Sequence, residues 1–141
     1  MSAVLLDITI IQVSCRIVTE DGMDIGKKIW VFADGDLPPQ GTEEPLGHEA
    51  LMIVNDAESD AHITLDILFE KEKPVEGIRI SVPSKRVRCF RMDYPIGDQQ
   101  YQIPFGQYGI VLHSDVPIVC LYGRLDRRPN MSYYPIGGFS M

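Results

Sequence analysis

The sequence predicts an all-β fold, an antiparallel β-sandwich of jelly-roll-like form in a single domain. Three observations predict it. Apolar residues recur with period two along most of the chain, stretches of helical period are nearly missing, and clusters of Gly, Pro, Asn and Asp cut the apolar runs at short intervals. Many short strands separated by turn chemistry read as a sandwich or barrel.

The elements follow in chain order. From Ile11 to Ile17, Ile11, Val13, Cys15 and Ile17 share one face, and Gln12, Ser14 and Arg16 the other. Lys28–Ala33 is a second run, closed by Asp34-Gly35-Asp36-Leu37-Pro38-Pro39. Glu49–Asn55 and His62–Phe69 follow, and Asn55-Asp56-Ala57-Glu58-Ser59-Asp60 between them reads as a polar hairpin loop. In the fourth strand Ile63, Leu65, Ile67 and Phe69 point one way. Gly77–Val82 and Arg86–Met92 are bounded by Lys73-Pro74-Val75-Glu76-Gly77 and Val82-Pro83-Ser84. Gln107–His113 and Ile118–Arg124 are expected as two strands, broken by Asp115-Val116-Pro117, with Pro117 at a strand start where its missing N–H does no harm. Residues 1–22 read as an added edge strand or an N-terminal extension, because Met23-Asp24-Ile25-Gly26 is itself a natural beginning. Residues 23–129 form the sandwich, and 130–141 a C-terminal tail.

At 141 residues and 45% apolar, the chain can bury a real core, roughly two thirds of its unfolded surface. Thirteen basic residues against 20 acidic ones leave a net charge of −7, which repels phosphate backbones and anionic membrane surfaces. Nucleic acid is therefore a poor default partner. No run approaches the ~20 apolar residues of a membrane span, so no membrane insertion is expected. Cys15, Cys89 and Cys120 sit singly in apolar runs and read as buried thiols of a reducing cytoplasm.

Enzyme signatures are missing: there is no GxSxG, no P-loop and no GxGxxG after a strand, so the chain is expected to be no enzyme and to carry no cofactor. His48-Glu49 opens an HExxH pattern, but Met52 stands where the second His belongs, and no metal is expected.

Several residues invite a binding role. Trp30, the single tryptophan, is either a core anchor or a stacking platform for a sugar ring. Lys85, Arg86, Arg88 and Arg91 make a basic stripe that either blocks edge-to-edge pairing or faces an anion; it is also the one feature that serves a weak DNA-binding regulator. Arg124 and Asp126 share a strand face, where a guanidinium fork and a carboxylate suit a polyhydroxylated ligand or, equally, an ion pair between subunits.

Trp30, Asp34-Gly35-Asp36-Leu37-Pro38-Pro39, His48-Glu49, Asn55, Val82-Pro83-Ser84-Lys85-Arg86, Ser114-Asp115-Val116-Pro117-Ile118-Val119 and Arg124-Leu125-Asp126-Arg127-Arg128 come in an order and spacing that resembles the soluble sensory-rhodopsin transducer family, from Lys28 to Arg128. The resemblance implies a β-sandwich protomer in a cyclic tetramer, cytoplasmic, coupled to a membrane photoreceptor or another signalling protein. In many relatives it implies a sensor of small molecules, with carbohydrate among them, and no rhodopsin. The tail from Asn130 departs from the family pattern and leaves the partner open. Under the small-ligand reading Trp30, His48, Glu49, Asn55, Arg86, Arg124 and Asp126 line the site; under the receptor reading Arg127, Tyr133 and Tyr134 contact the partner.

Overall fold

A computed structural model describes residues 25–141. The expected strand Ile11–Ile17, Cys15 and the extension 1–22 lie outside the described residues. Eight strands follow: β1 (Lys27–Leu37), β2 (His48–Asn55), β3 (Ala61–Leu68), β4 (Val75–Val82), β5 (Arg86–Arg91), β6 (Gly106–Asp126), β7 (Ser132–Ile136) and β8 (Gly138–Ser140). All pairings are antiparallel.

Two layers form. One runs β4-β3-β6-β1-β8, and the other runs β5-β2-β6-β7. Strand β6 belongs to both. Its first half lies between β3 and β1, with Leu112 opposite Leu65 and Trp30; its second half lies between β2 and β7, with Tyr122 opposite Leu51 and Ile136. Alternation of burial is clear in β3, β4 and much of β6, whereas edge strand β5 is exposed along most of its length. The inward residues Phe32, Leu51, Ile53, Ile63, Leu65, Ile67, Ile78, Ile110, Leu112 and Tyr122 fill the core.

Three expectations change. Asp115-Val116-Pro117 does not break the chain into two strands; β6 runs through it for 21 residues. β3 has its last partner at Ser114, β1 pairs at His113 and, after a register shift, at Ile118, and β2 joins at Val119, so Pro117 falls where no ladder needs its N–H. The loop after Asn55 is no hairpin, because β2 and β3 belong to different layers and the loop crosses between them. The segment 130–141 supplies β7 and β8, one pairing in each layer. The thiols also divide: Cys120 is buried and its pKa is pushed up to about 12 by that burial, whereas Cys89 is exposed on the outer side of edge strand β5.

Candidate functional site

Glu49 and Arg124 are cross-strand neighbours on the inward face of the second layer, at the end where β2 begins and β6 finishes. A charged pair at a core position is costly unless its lone pairs and protons are matched. Here they are. Glu49 Oε1 accepts from Arg124 Nε at 2.8 Å and from the Asp36 backbone N–H at 3.0 Å. Glu49 Oε2 accepts the Tyr122 hydroxyl at 2.9 Å and that of Tyr108; the two phenol oxygens are also in contact, but each has one proton and gives it to Glu49. Arg124 spends its remaining donors on the Tyr134 hydroxyl at 2.8 Å and the Asp34 carbonyl at 2.7 Å.

The sequence builds this locally. Between Phe32 and Gly35 the register against β6 slips, a bulge that presents the backbone of Asp34 and Asp36 to the pair. Gly35 lies against the Tyr108 ring, and a Cβ there would meet ring and backbone at 2.8–2.9 Å, so only glycine leaves Tyr108 its place. Burial, with the neighbouring Glu49, raises both tyrosine pKa values far above the ordinary range, so both stay protonated donors. Burial opposes the Arg124 charge, but Glu49 and Tyr134 more than offset it and raise its pKa.

Around this buried centre lies a charged rim. Arg128 bonds Asp126 through Nη2 at 2.9 Å and reaches Asp36, while Asp34, 64% exposed at its side chain, stands 3.3 Å from Arg124. Arg127 reaches Glu43 and the Pro45 carbonyl, tying the loop before β2 to the end of β6.

The structure thus brings together Glu49, Arg124 and Asp126, with Tyr134 beside them. His48 is next to Glu49 but on the opposite face, its Nδ1 donating to the Leu46 carbonyl at 2.8 Å. Trp30 stands apart: its indole N–H donates to the carbonyls of Ile118 and Lys27, and its ring stacks on Phe32. Asn55 and Arg86 pair at the opposite end of β2. The Asn55 side chain is spent on the crossing loop, donating to Ser59, Val82 and Pro83 carbonyls and accepting from Ala57. Arg86 is exposed and bonds the Lys85 carbonyl of its own turn. Tyr133 is exposed over Gly123. In the basic stripe, Lys85 is paired with Asp56 and Glu58, and Arg91 with Asp93.

Sequence reasoning missed Tyr108 and Tyr122. Their signal was present: both are inward positions of β6, and a buried phenol needs a partner.

Much of the outer side of the second layer is apolar. Its cross-strand rows are Val87–Val54–Val119 and Cys89–Met52–Leu121, and the next row, Arg91–Ala50–Gly123–Pro135, brings in a charge at the edge strand. Val54, Val87, Val119 and Leu121 are 37–64% exposed.

The family model of the Anabaena sensory rhodopsin transducer matches residues 25–134. The crystal structure of Thermotoga maritima 1070 superposes with TM-score 0.73 at 28% identity, covering 83% of this chain and 97% of that one. The structure of the Anabaena sensory rhodopsin transducer superposes with TM-score 0.63 at 31% identity, covering 71% of this chain and 98% of that one. No curated protein matches. Strand pattern, motif order and these likenesses agree: this chain belongs to the Anabaena sensory rhodopsin transducer family.

Proposed function

We propose that this protein is a non-enzymatic signalling module of the cytoplasm that self-associates through the outer face of its second layer and relays the state of a receptor or small ligand to a partner. The observation that carries this reading is the apolar outer face itself. A sheet face of Val54, Val87, Val119, Leu121 and Met52 with no charge in those rows is costly to leave in water, and such patches mark contact surfaces. A second copy is the occupant: an apolar face offers nothing for a charged receptor loop to read, whereas a like face complements it. A face that meets itself closes a dimer; one that meets a different patch closes a ring, and a ring of four is what the family resemblance suggests.

Light scattering on the wild type and on Leu121→Asp tests it. A multimeric wild type and a lighter variant with unchanged circular dichroism support the reading, and a mass of four subunits supports the ring. A wild type that stays monomeric at every concentration overturns relay through an oligomer.

A second reading, a small-molecule sensor with carbohydrate as its ligand, is favoured by the polar end, where Asp34, Asp36, Asp126, Arg128 and Tyr134 surround the Glu49–Arg124 pair. Its test is a thermal-shift screen of sugars on the wild type and Asp34→Ala. Ligand at a hundred times its Kd adds about 2.7 kcal/mol. A sugar shift lost in the variant supports this reading, and the absence of any shift removes it.

A further inference from the structure

Among the described residues β4 is an edge of one layer and β5 an edge of the other, and the short turn Pro83–Lys85 joins them. Between these edges lies a cleft of about 470 Å³, closed at one end by the segment Met92–Tyr101. Three guanidinium groups line it, Arg79 from β4 and Arg88 and Arg91 from β5, and no carboxylate does. Asp98 and Asp93 pair two of them from outside the lining, which leaves one positive charge without a carboxylate among the described residues, in a chain of net charge −7.

Each guanidinium is held from one side. Arg79 gives Nε and Nη2 to Asp98 at 2.7 Å, and Arg91 gives Nε and Nη2 to Asp93, each at 2.8 Å. Arg88 gives Nη1 to the Ser81 carbonyl at 3.0 Å, bridging the two edges. Arg88 also lies 4.7 Å over the Phe90 ring, and Arg91 5.1 Å over that of Tyr94. Among the described residues this leaves Nη1 of Arg79, Nη1 of Arg91, and Nε and Nη2 of Arg88 without an acceptor. Arg88 has no carboxylate partner there at all. The closing segment is fixed as well. Gly97 has φ +70°, and a Cβ on it would stand 2.3 Å from Ile78 and 2.9 Å from the Arg79 carbonyl. Guanidinium groups immobilised before a ligand arrives lose little further entropy on binding it.

We propose that this cleft is a binding site for a small oxyanion, the phosphate or carboxylate group of a metabolite, with Arg88 as its principal donor and Arg79 and Arg91 as flanking ones. The site shares no residue with the Glu49–Arg124 end and is complete within one protomer.

Isothermal titration at low salt with inorganic phosphate, pyrophosphate and citrate tests it, on the wild type, Arg88→Gln, Arg88→Lys and Arg86→Gln. Arg88 is exposed, so its variants fold. Saturable 1:1 binding is expected, weakened about tenfold to a hundredfold by Arg88→Gln, since a hydrogen bond to a charged group contributes about 1.5–3 kcal/mol. Arg88→Lys recovers part of it, and Arg86→Gln, outside the cleft, leaves it unchanged. Preference for pyrophosphate over citrate identifies a phosphate group, and the reverse a carboxylate. Failure of all three anions to saturate overturns the proposal. So does an equal loss in the Arg86 and Arg88 variants, or binding of duplex DNA that falls steeply with salt, each of which would make the effect one of general surface charge.

Discussion

Glu49 sits in the core with four donors on its two oxygens, and its role can be measured one atom at a time. Arg124→Met leaves the carboxylate buried without its cation, which costs about 3–5 kcal/mol. Urea or thermal melting should show a loss of that size. The double variant Glu49→Leu/Arg124→Met should lose less than the sum of the single variants; strict additivity would show that the two do not act as a unit. Because Arg124 finds its partner within its own chain, its loss weakens the protomer rather than parting subunits, contrary to the inter-subunit ion pair that spacing alone left open. A second residue-scale prediction concerns acid. Burial of Asp93 opposes its ionisation, but Arg91 and Gln40 more than offset this and hold its carboxyl below the ordinary value. An unfolded aspartate titrates near ~3.9, so the stabilisation is complete above about pH 5 and is lost as pH falls through the lower folded value. The melting temperature should therefore fall below about pH 4, and Asp93→Asn should flatten that fall; an unchanged slope would exclude Asp93. At this scale the sequence made the Glu49 and Arg124 positions legible, through residue type and alternation. It could not show that they are opposite each other, because register between strands 75 residues apart is a tertiary fact.

Strand β6 governs the next scale. It parts from β3 at Ser114, whose buried hydroxyl has no hydrogen-bond partner among the described residues. Ser114→Ala should be neutral or stabilising by up to about 1 kcal/mol, as judged by urea midpoint. A clear loss would mean that the hydroxyl is satisfied. Alternation found β1 to β5 and both halves of β6, since period two survives wherever one face is buried and the other wet. It broke β6 at Asp115-Val116-Pro117 because those residues carry turn chemistry, and proline is tolerated at a corner for the same reason it is tolerated in a turn. It passed over β7 and β8 because five and three residues containing Pro135 and Gly138 are too short to display a period.

For the whole molecule the decisive surface is the outer face of β5, β2, β6 and β7. Cys89 lies in it and is exposed in the protomer, while Cys120 is buried with its thiol pKa at about 12. Alkylation followed by peptide mass mapping reads each thiol separately. Cys89 should react readily in dilute protein and more slowly as concentration rises, and Cys120 only on unfolding. Equal reactivity of Cys89 at all concentrations would place the contact between copies elsewhere. None of this was visible in composition, because an apolar residue looks the same in sequence whether a core or a second molecule covers it.

The shared strand has a consequence in time. Strands β1, β2 and β3 all take β6 as a neighbour, yet β6 comes after all of β1 to β5 in the chain and is completed only at Asp126. A chain leaving the ribosome can pair β3 with β4 and β2 with β5, which makes two separate ribbons, each marginal in water. Neither ribbon has a layer to join until β6 emerges, when one strand enters both at once. Assembly of this fold therefore waits on one late strand, and a chain cut short before β6 has no half-domain to fall back on.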